Sequence, residues 1–286
     1  MTAFVEVPPP AALDSVATRL WHLDTAPVRR FEKILPLPSI HLIVNLSEPY
    51  RLFDRTGAST AVVDAFVSGL QREWLVIESP ARIRHVGVEL TPAGLHALAP
   101  DRAATSAGAV QDARALLDGI DLLVERLSAA RSPHAMLGML ADFLLGSLVQ
   151  APDPLVTATA RAIEADVDRT VASLATELGV SQRTLIARFR AATGTTPKQH
   201  AQVLRFHRFV DRVHAAGGPP DWADLAVASG YYDQPHVIRA FRRFSGWTPA
   251  EYHRLVAEHG SDAAHFVPLE QLPAAPPLRT EDQASA

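Results

Sequence analysis

Ala175-Thr-Glu-Leu-Gly179-Val-Ser-Gln182-Arg-Thr-Leu185-Ile-Ala-Arg-Phe189 and Ala226-Val-Ala-Ser-Gly230-Tyr-Tyr-Asp-Gln234-Pro-His-Val237-Ile-Arg-Ala-Phe241 carry one pattern twice. Each copy is followed by Gly-x-Thr-Pro, at Gly194, Thr196 and Pro197 and again at Gly246, Thr248 and Pro249. The offset is 51 residues at the Ala and Gly positions and 52 from the glutamine onwards, so one residue is inserted just after the first glycine. A helix-turn-helix tolerates an insertion there because its turn faces solvent.

In the first copy Val171, Leu174, Ala175 and Leu178 form the inward face of a short helix, and Gly179 ends it where a left-handed backbone is cheap. Ser181 caps a second helix over Gln182 to Ala192, which buries Leu185 and Phe189 and leaves Gln182, Arg183, Ile186, Ala187 and Arg190 on or near the other side. The second copy predicts a supporting helix over Asp224 to Ser229, a turn at Gly230 and a cap at Asp233. Pro235 then sits in the first helical turn, where its missing N–H costs nothing. With Val237 and Phe241 buried, Gln234, His236, Ile238 or Arg239, and Arg242 are left to meet DNA. Helices of this kind lie in the major groove, where Gln234 suits adenine and Arg239 suits guanine. Between the copies, Thr196 and Pro197 open a helix to about His214, whose Lys198, Arg205, Arg208 and Arg212 are candidates for phosphate contact.

The chain has 286 residues and a net charge of −4, an unpromising total for a nucleic-acid binder. The charge is unevenly placed. Residues 155–256 hold 13 Arg/Lys against 9 Asp/Glu, whereas residues 1–154 hold 13 against 17 and residues 257–286 hold 1 against 5. Positive charge is thus concentrated where the repeat lies, which is what decides contact with DNA. Cysteine is absent, so disulfides, thiolate metal sites and cysteine nucleophiles are excluded and a cytoplasmic location is expected. No basic-plus-apolar leader precedes Pro8-Pro-Pro10 and no apolar run reaches about 18 residues, so neither export nor membrane insertion is expected.

Outside the repeat, Ser39 to Leu46, Ala61 to Val67, Glu73 to Ile77 and Arg82 to Leu90 read as short strands with turn signals between them. Thr91-Pro92 predicts a helix start, and two broad apolar helices follow over 113–127 and 133–149. Gln150-Ala-Pro-Asp-Pro154 is the best boundary. The reading is α+β: a β-rich N-terminal barrel or sandwich with packed helices over 1–150, an all-α double helix-turn-helix domain over 155–256, and a mobile tail over 257–286.

Gly230-Tyr-Tyr-Asp-Gln-Pro-His236, Arg239-Ala-Phe241 and Gly246-Trp-Thr-Pro-Ala-Glu-Tyr252 carry a family likeness: residues 165–255 resemble the DNA-binding domain of the AraC family of bacterial transcription regulators. The resemblance implies that both reading helices enter the major groove, through Gln182, Arg183, Ile186 and Ala187 and through Gln234, Pro235, His236 and Arg239. Ala187 stands where the family commonly has arginine, and Pro235 has no N–H to donate. More weakly, Trp21-His22, Pro38 to Leu46 and Val86 to Pro92 place residues 15–145 near the β-rich sensing or dimerising domain of one branch. The implied partner is double-stranded DNA, with a small-molecule effector, RNA polymerase and a second copy of the chain as further candidates.

The competing readings are plainer. His22, His41, His85 and His96 lack the paired spacing of metal ligands, so neither metal nor cofactor is expected. Trp21, Tyr50, Phe53, Phe66 and Trp74 could line a small-molecule pocket but are first of all core. An enzymatic barrel with a helical adaptor finds no nucleophile elbow, phosphate loop or carboxylate cluster, and alkyl-transfer repair needs cysteines the chain lacks. The N-terminal half could also be a dimerisation module without ligand, along one of the two apolar helices.

Overall fold

Alternation in the N-terminal half builds two antiparallel sheets face to face in the computed structural model, which describes residues 3–27, 29–216 and 221–259. Its described strands are β1 (Ala3–Val7), β2 (Ala17–Thr25), β3 (Phe31–Ile34), β4 (Ile40–Asn45), β5 (Tyr50–Phe53), β6 (Ser59–Val62), β7 (Ala65–Ser68), β8 (Leu75–Glu78), β9 (Ile83–Leu90) and β10 (Val110–Asp112). One sheet runs β1-β2-β9-β4-β7-β10 and the other β3-β8-β5-β6. Successive side chains of the larger sheet point to opposite faces. Leu20, Leu42, Val44, Val67, Val86 and Val88 are buried in one cluster with Leu123, Met136, Leu140 and Leu144 of the covering helices α2 (Ile120–Ala129) and α3 (Pro133–Gly146). Between the sheets lie Tyr50, Leu52, Val62, Phe66, Ile77 and Ile83. Gly87, in mid-strand, is required there: a Cβ on it would come within 2.4 Å of the Trp21 ring, which lies across β9.

Several local expectations are corrected. The run Ala61 to Val67 divides into β6 and β7, in different sheets, because Asp64 turns out to take a bidentate pair from Arg114 at 2.7 and 2.8 Å. Thr91 does not cap a helix; its hydroxyl donates to Ser15 O at 3.0 Å, and the short α1 (Gly94–Leu98) begins later. The helix expected over 113–127 is interrupted at Gly119, whose φ is +78°, and resumes as α2. β1, β2, β3, β5 and β10 were not anticipated.

The C-terminal part comprises α4 (Pro154–Ala165), α5 (Val171–Glu177), α6 (Gln182–Thr193), α7 (Pro197–Ala215), α8 (Trp222–Ala228), α9 (Gln234–Ser245) and α10 (Pro249–His259). The expected tail over 257–286 lies outside the described residues apart from its first three, which continue α10. The stretch before α4 is tethered: Val149 N and Gln150 N both donate to Ala97 O. Two clusters contain residues from both sides of this break. One joins Ala93 to Val156, Ala160, Phe189 and Ala192; the other joins Leu35, Phe53, Trp74 and Val76 to Phe206, Phe241, Phe244 and Trp247. Phe53 and Trp74, candidates for a pocket lining, are therefore core shared with the helical part.

Candidate nucleic-acid interface

Each copy of the repeat folds as a helix-turn-helix, α5–α6 and α8–α9, for reasons already visible in its residues. Gly179 and Gly230 hold φ values of +67° and +79° at the two turns, a region costly for any side chain. Ser181 Oγ accepts from Thr184 N at 3.1 Å to cap α6, and Asp233 Oδ1 accepts from His236 N at 2.7 Å to cap α9. Such caps satisfy amides that no helical carbonyl reaches, each contributing about 1 kcal/mol. The supporting helix α8 starts two residues earlier than expected, because Asp221 caps it by accepting from Ala223 N and Asp224 N. Leu185 and Phe189 of α6, and Val237 and Phe241 of α9, are the buried pairs.

The connector α7 has 19 residues, hence a length of about 28 Å, and opens with a capping box between Thr196 and Gln199. Its apolar face is fixed by Phe206 and Phe209, whose rings meet Phe241 at 5.1 and 5.5 Å between centroids. Ala201, in one cluster with Leu174, Ala175 and Leu185, seats the first unit on the same helix, so both units are mounted on one rod.

Gln182, Arg183, Ala187 and Arg190 are exposed along α6, with Ile186 half-buried. Gln234, Pro235, Arg239 and Arg242 are exposed along α9, and His236 is half-buried with its ring edge-on to Tyr231 at 5.3 Å. Lys198 is exposed at the start of α7. Arg183, Arg190, Lys198 and Arg239 make no salt bridge among the described residues, which leaves their cationic ends available to an anion. Arg188 differs. Its guanidinium is held at 2.7 Å by Asp153, which also caps α4 through Leu155 N and Val156 N.

Two of the candidates for phosphate contact are engaged within the protein: Arg205 Nη2 donates to Val167 O and Asp168 Oδ1, and Arg208 donates to the carbonyl of Glu164. Their spacing turns them toward the α4–α5 segment, which the α7 sequence alone does not reveal. Arg243 was not singled out; it is exposed and lines clefts on both sides of the C-terminal half of α9.

The C-terminal ends of α6 and α9 are seated on the N-terminal half. Gly194, at the end of α6, has φ +67°, and a Cβ on it would lie 2.3 Å from Ala104 O; Arg72 Nη2 donates to its carbonyl at 3.3 Å. At the end of α9, the fully buried Lys33 of β3 donates through Nζ to Ser245 O at 2.8 Å, with the Trp247 and Trp74 rings 3.5 and 4.4 Å away. Sequence reading passed over Lys33, since nothing local distinguishes it from a surface lysine. His207 Nε2 also donates to Pro36 O.

The chain is similar to several known proteins. Residues 174–255 match the family model of a helix-turn-helix domain, and residues 5–110 match a domain of unknown function, DUF6597. A Streptomyces lividans protein described as an AraC-like transcription regulator is 32% identical over 133 residues, covering 46% of this chain and 40% of the relative. A similarly described protein from Streptomyces antibioticus is 30% identical over 133 residues, covering 46% and 41%. The chain thus spans about two fifths of the length of these curated relatives. Among solved structures, ToxT from Vibrio cholerae has 12% identity and a TM-score of 0.46, covering 89% of this chain and 97% of that one. A DNA-binding transcriptional dual regulator from Escherichia coli K-12 has 25% identity and a TM-score of 0.33, covering 37% and 96%. No described helix is long and apolar enough to cross a membrane.

Proposed function

We propose that this chain, whose residues 174–255 match a helix-turn-helix family model and which is similar to AraC-like transcription regulators, is a regulator of that kind and binds double-stranded DNA by placing α6 and α9 in two successive major grooves. The observation that carries the reading is the pair of exposed, cation-bearing helix faces mounted on a single buried rod, α7. In this reading residues 155–256 are the reader. Gln182, Arg183, Ile186 and Ala187 meet one set of base edges, and Gln234, Pro235, His236 and Arg239 the other. Arg190, Arg242 and Lys198 hold phosphates. Arg239 is the arginine the second unit has and the first lacks, Ala187 being its counterpart, so the second unit contributes the stronger guanine contact.

Residues 1–150 act on the reader through the shared clusters around Ala93 and Trp74, as a sensor for a small molecule in the cell interior or as a dimerising part without ligand. A melting-temperature screen of the full chain against small molecules separates these two, since only a sensor is raised by a ligand.

Arg239→Ala should lose about 1–3 kcal/mol of discrimination at one base pair, while affinity for random duplex changes little. Lys198→Ala should weaken every sequence alike and reduce the slope of log affinity against log salt by about 1. Binding titrations on specific and random duplexes over a range of salt check both. An Arg239→Ala variant weakened equally on both duplexes would remove the base-reading role.

A further inference from the structure

Arg205 stands in the middle of α7, and its side chain is only 17% exposed. Its Nη2 donates to Val167 O at 3.0 Å and to Asp168 Oδ1 at 2.8 Å, in the loop that leads into α5 of the first unit. Asp168 is itself placed by its own amide, which donates to Asp166 Oδ1 at 2.9 Å. The opposite side of the same guanidinium faces the second unit. Its central carbon lies 5.7 Å from the Tyr231 ring centroid. A Cβ built on Gly230, in the turn between α8 and α9, would fall 2.6 Å from Asp168 Oδ1 and 3.0 Å from Arg205 Nε. The two helix-turn-helix units therefore approach each other at this group, with Gly230 leaving the room for it.

We infer that Arg205, with Asp168, is a positioning pair that fixes the separation and angle of the two reading helices and so selects the spacing between the two blocks of bases the protein recognises. Nη2 is engaged by a carbonyl and a carboxylate and the guanidinium carbon lies over an aromatic ring, so the group is held between the two units rather than on the exposed faces of α6 and α9. Guanidinium carries its N–H donors in a rigid fork, which fixes the directions of Val167 and Asp168 relative to Tyr231, whereas a lysine ammonium on its flexible stem imposes no such fixed geometry. The connector alone leaves a degree of freedom, because each unit can rock about the apolar face of α7. The Arg205 bridge ties the entrance of α5 to the entrance of α9 and removes it. A shift of one base pair moves a half-site by about 3.4 Å and rotates it by roughly a tenth of a turn, so a small loss of constraint is legible in spacing preference.

The inference rests on the two-groove reading proposed above, and its test separates the two. The full-length wild type is used to enrich duplexes from random DNA, and the enriched site is remade with one base pair added or removed between its blocks. Wild type is expected to prefer the enriched spacing by about tenfold or more. Arg205→Ala and Asp168→Ala should reduce that preference below about threefold. Their affinity for a duplex carrying either block alone should stay within about twofold of wild type, and Arg205→Lys should recover only part of the preference. Asp168→Ala, at a position 60% exposed, supplies the answer if the arginine variants do not fold. Variants that keep the full spacing preference, or lose affinity by one common factor on every spacing and on single blocks, would overturn the positioning role. Enrichment of no sequence by wild type would instead take down the DNA-reading function, and this inference with it.

Discussion

Lys33→Glu should cost about 3–5 kcal/mol, because it puts an unmatched charge into a closed site. Lys33 is fully buried and donates to Ser245 O, at the C-terminal end of α9, between the faces of Trp74 and Trp247. Every one of these neighbours presents negative potential: a carbonyl oxygen, two indole faces, and the end of a helix whose dipole is negative there. A carboxylate reverses the sign of all four interactions. Lys33→Met keeps most of the volume and removes the charge, and should change stability by less than about 1.5 kcal/mol. Denaturant unfolding of the two variants checks the pair of values. Limited proteolysis between Gln150 and Asp153 reports whether the Glu variant releases the reader from the N-terminal half. A Glu variant as stable as wild type would mean that Lys33 does not seat α9.

Acidification from pH 7 should remove several kcal/mol of stability before the carboxylates titrate. Burial pushes His85, between the two sheets beside Tyr50, down to about 4, and pushes His200, packed on Phe189 behind α6, down to about 4. In the unfolded chain a histidine titrates near 6.5. Between those values the unfolded state carries the extra protons, so stability is complete above about pH 6.5 and is lost progressively as the pH falls toward 4. Each group contributes up to roughly 3 kcal/mol of that loss. His41, His22 and His207 are lowered by burial too and act in the same direction. Asp24, held low by its hydrogen bond from Arg82, and Asp64, held low by Arg114, give a separate loss as the pH falls below the ordinary carboxylate range. His200→Phe removes one imidazole whose two nitrogens have no hydrogen-bond partner among the described residues. Unfolding free energies measured from pH 7 to 4.5 should show a shallower fall in this variant. An unchanged fall, or a rise in wild-type stability on acidification, would contradict the burial of a neutral ring.

The two helix-turn-helix units were legible in the sequence because their determinants are local. Gly179, Ser181 and Asp233 act on neighbours a few residues away, and Leu185 with Phe189, or Val237 with Phe241, lie on one face by helical period alone. The same holds for the exposure of Gln182, Arg183, Gln234 and Arg239. What escaped depends on contacts between distant segments. β2 was missed because it carries charges that are neutralised across the sheet, exposed Arg19 by Glu89 and Glu6, and half-buried Asp24 by Arg82. Arg205 and Arg208 looked like phosphate ligands because nothing within α7 announces that α4 and the loop after it will lie against them. Lys33 was invisible for the same reason: its two tryptophans stand 41 and 214 positions further along the chain.

The coupling between halves follows from these non-local contacts. Gly194 at the end of α6 abuts Ala104, and Ser245 at the end of α9 is held by Lys33, so α6 and α9 are both anchored to the N-terminal half at their C-terminal ends. Their N-terminal halves, which carry Gln182 and Gln234, stay exposed.

Two helices reading one duplex together is the claim on which the functional account stands, and enrichment of bound fragments from random DNA by the full chain, at about 150 mM salt where non-specific retention is weak, tests it most directly. The account predicts a site of two preferred blocks centred about 10–10.5 base pairs apart, with the guanine-bearing contact in the block that Arg239→Ala relaxes. A single block, or retention without any preferred sequence that vanishes as salt is raised, would contradict it.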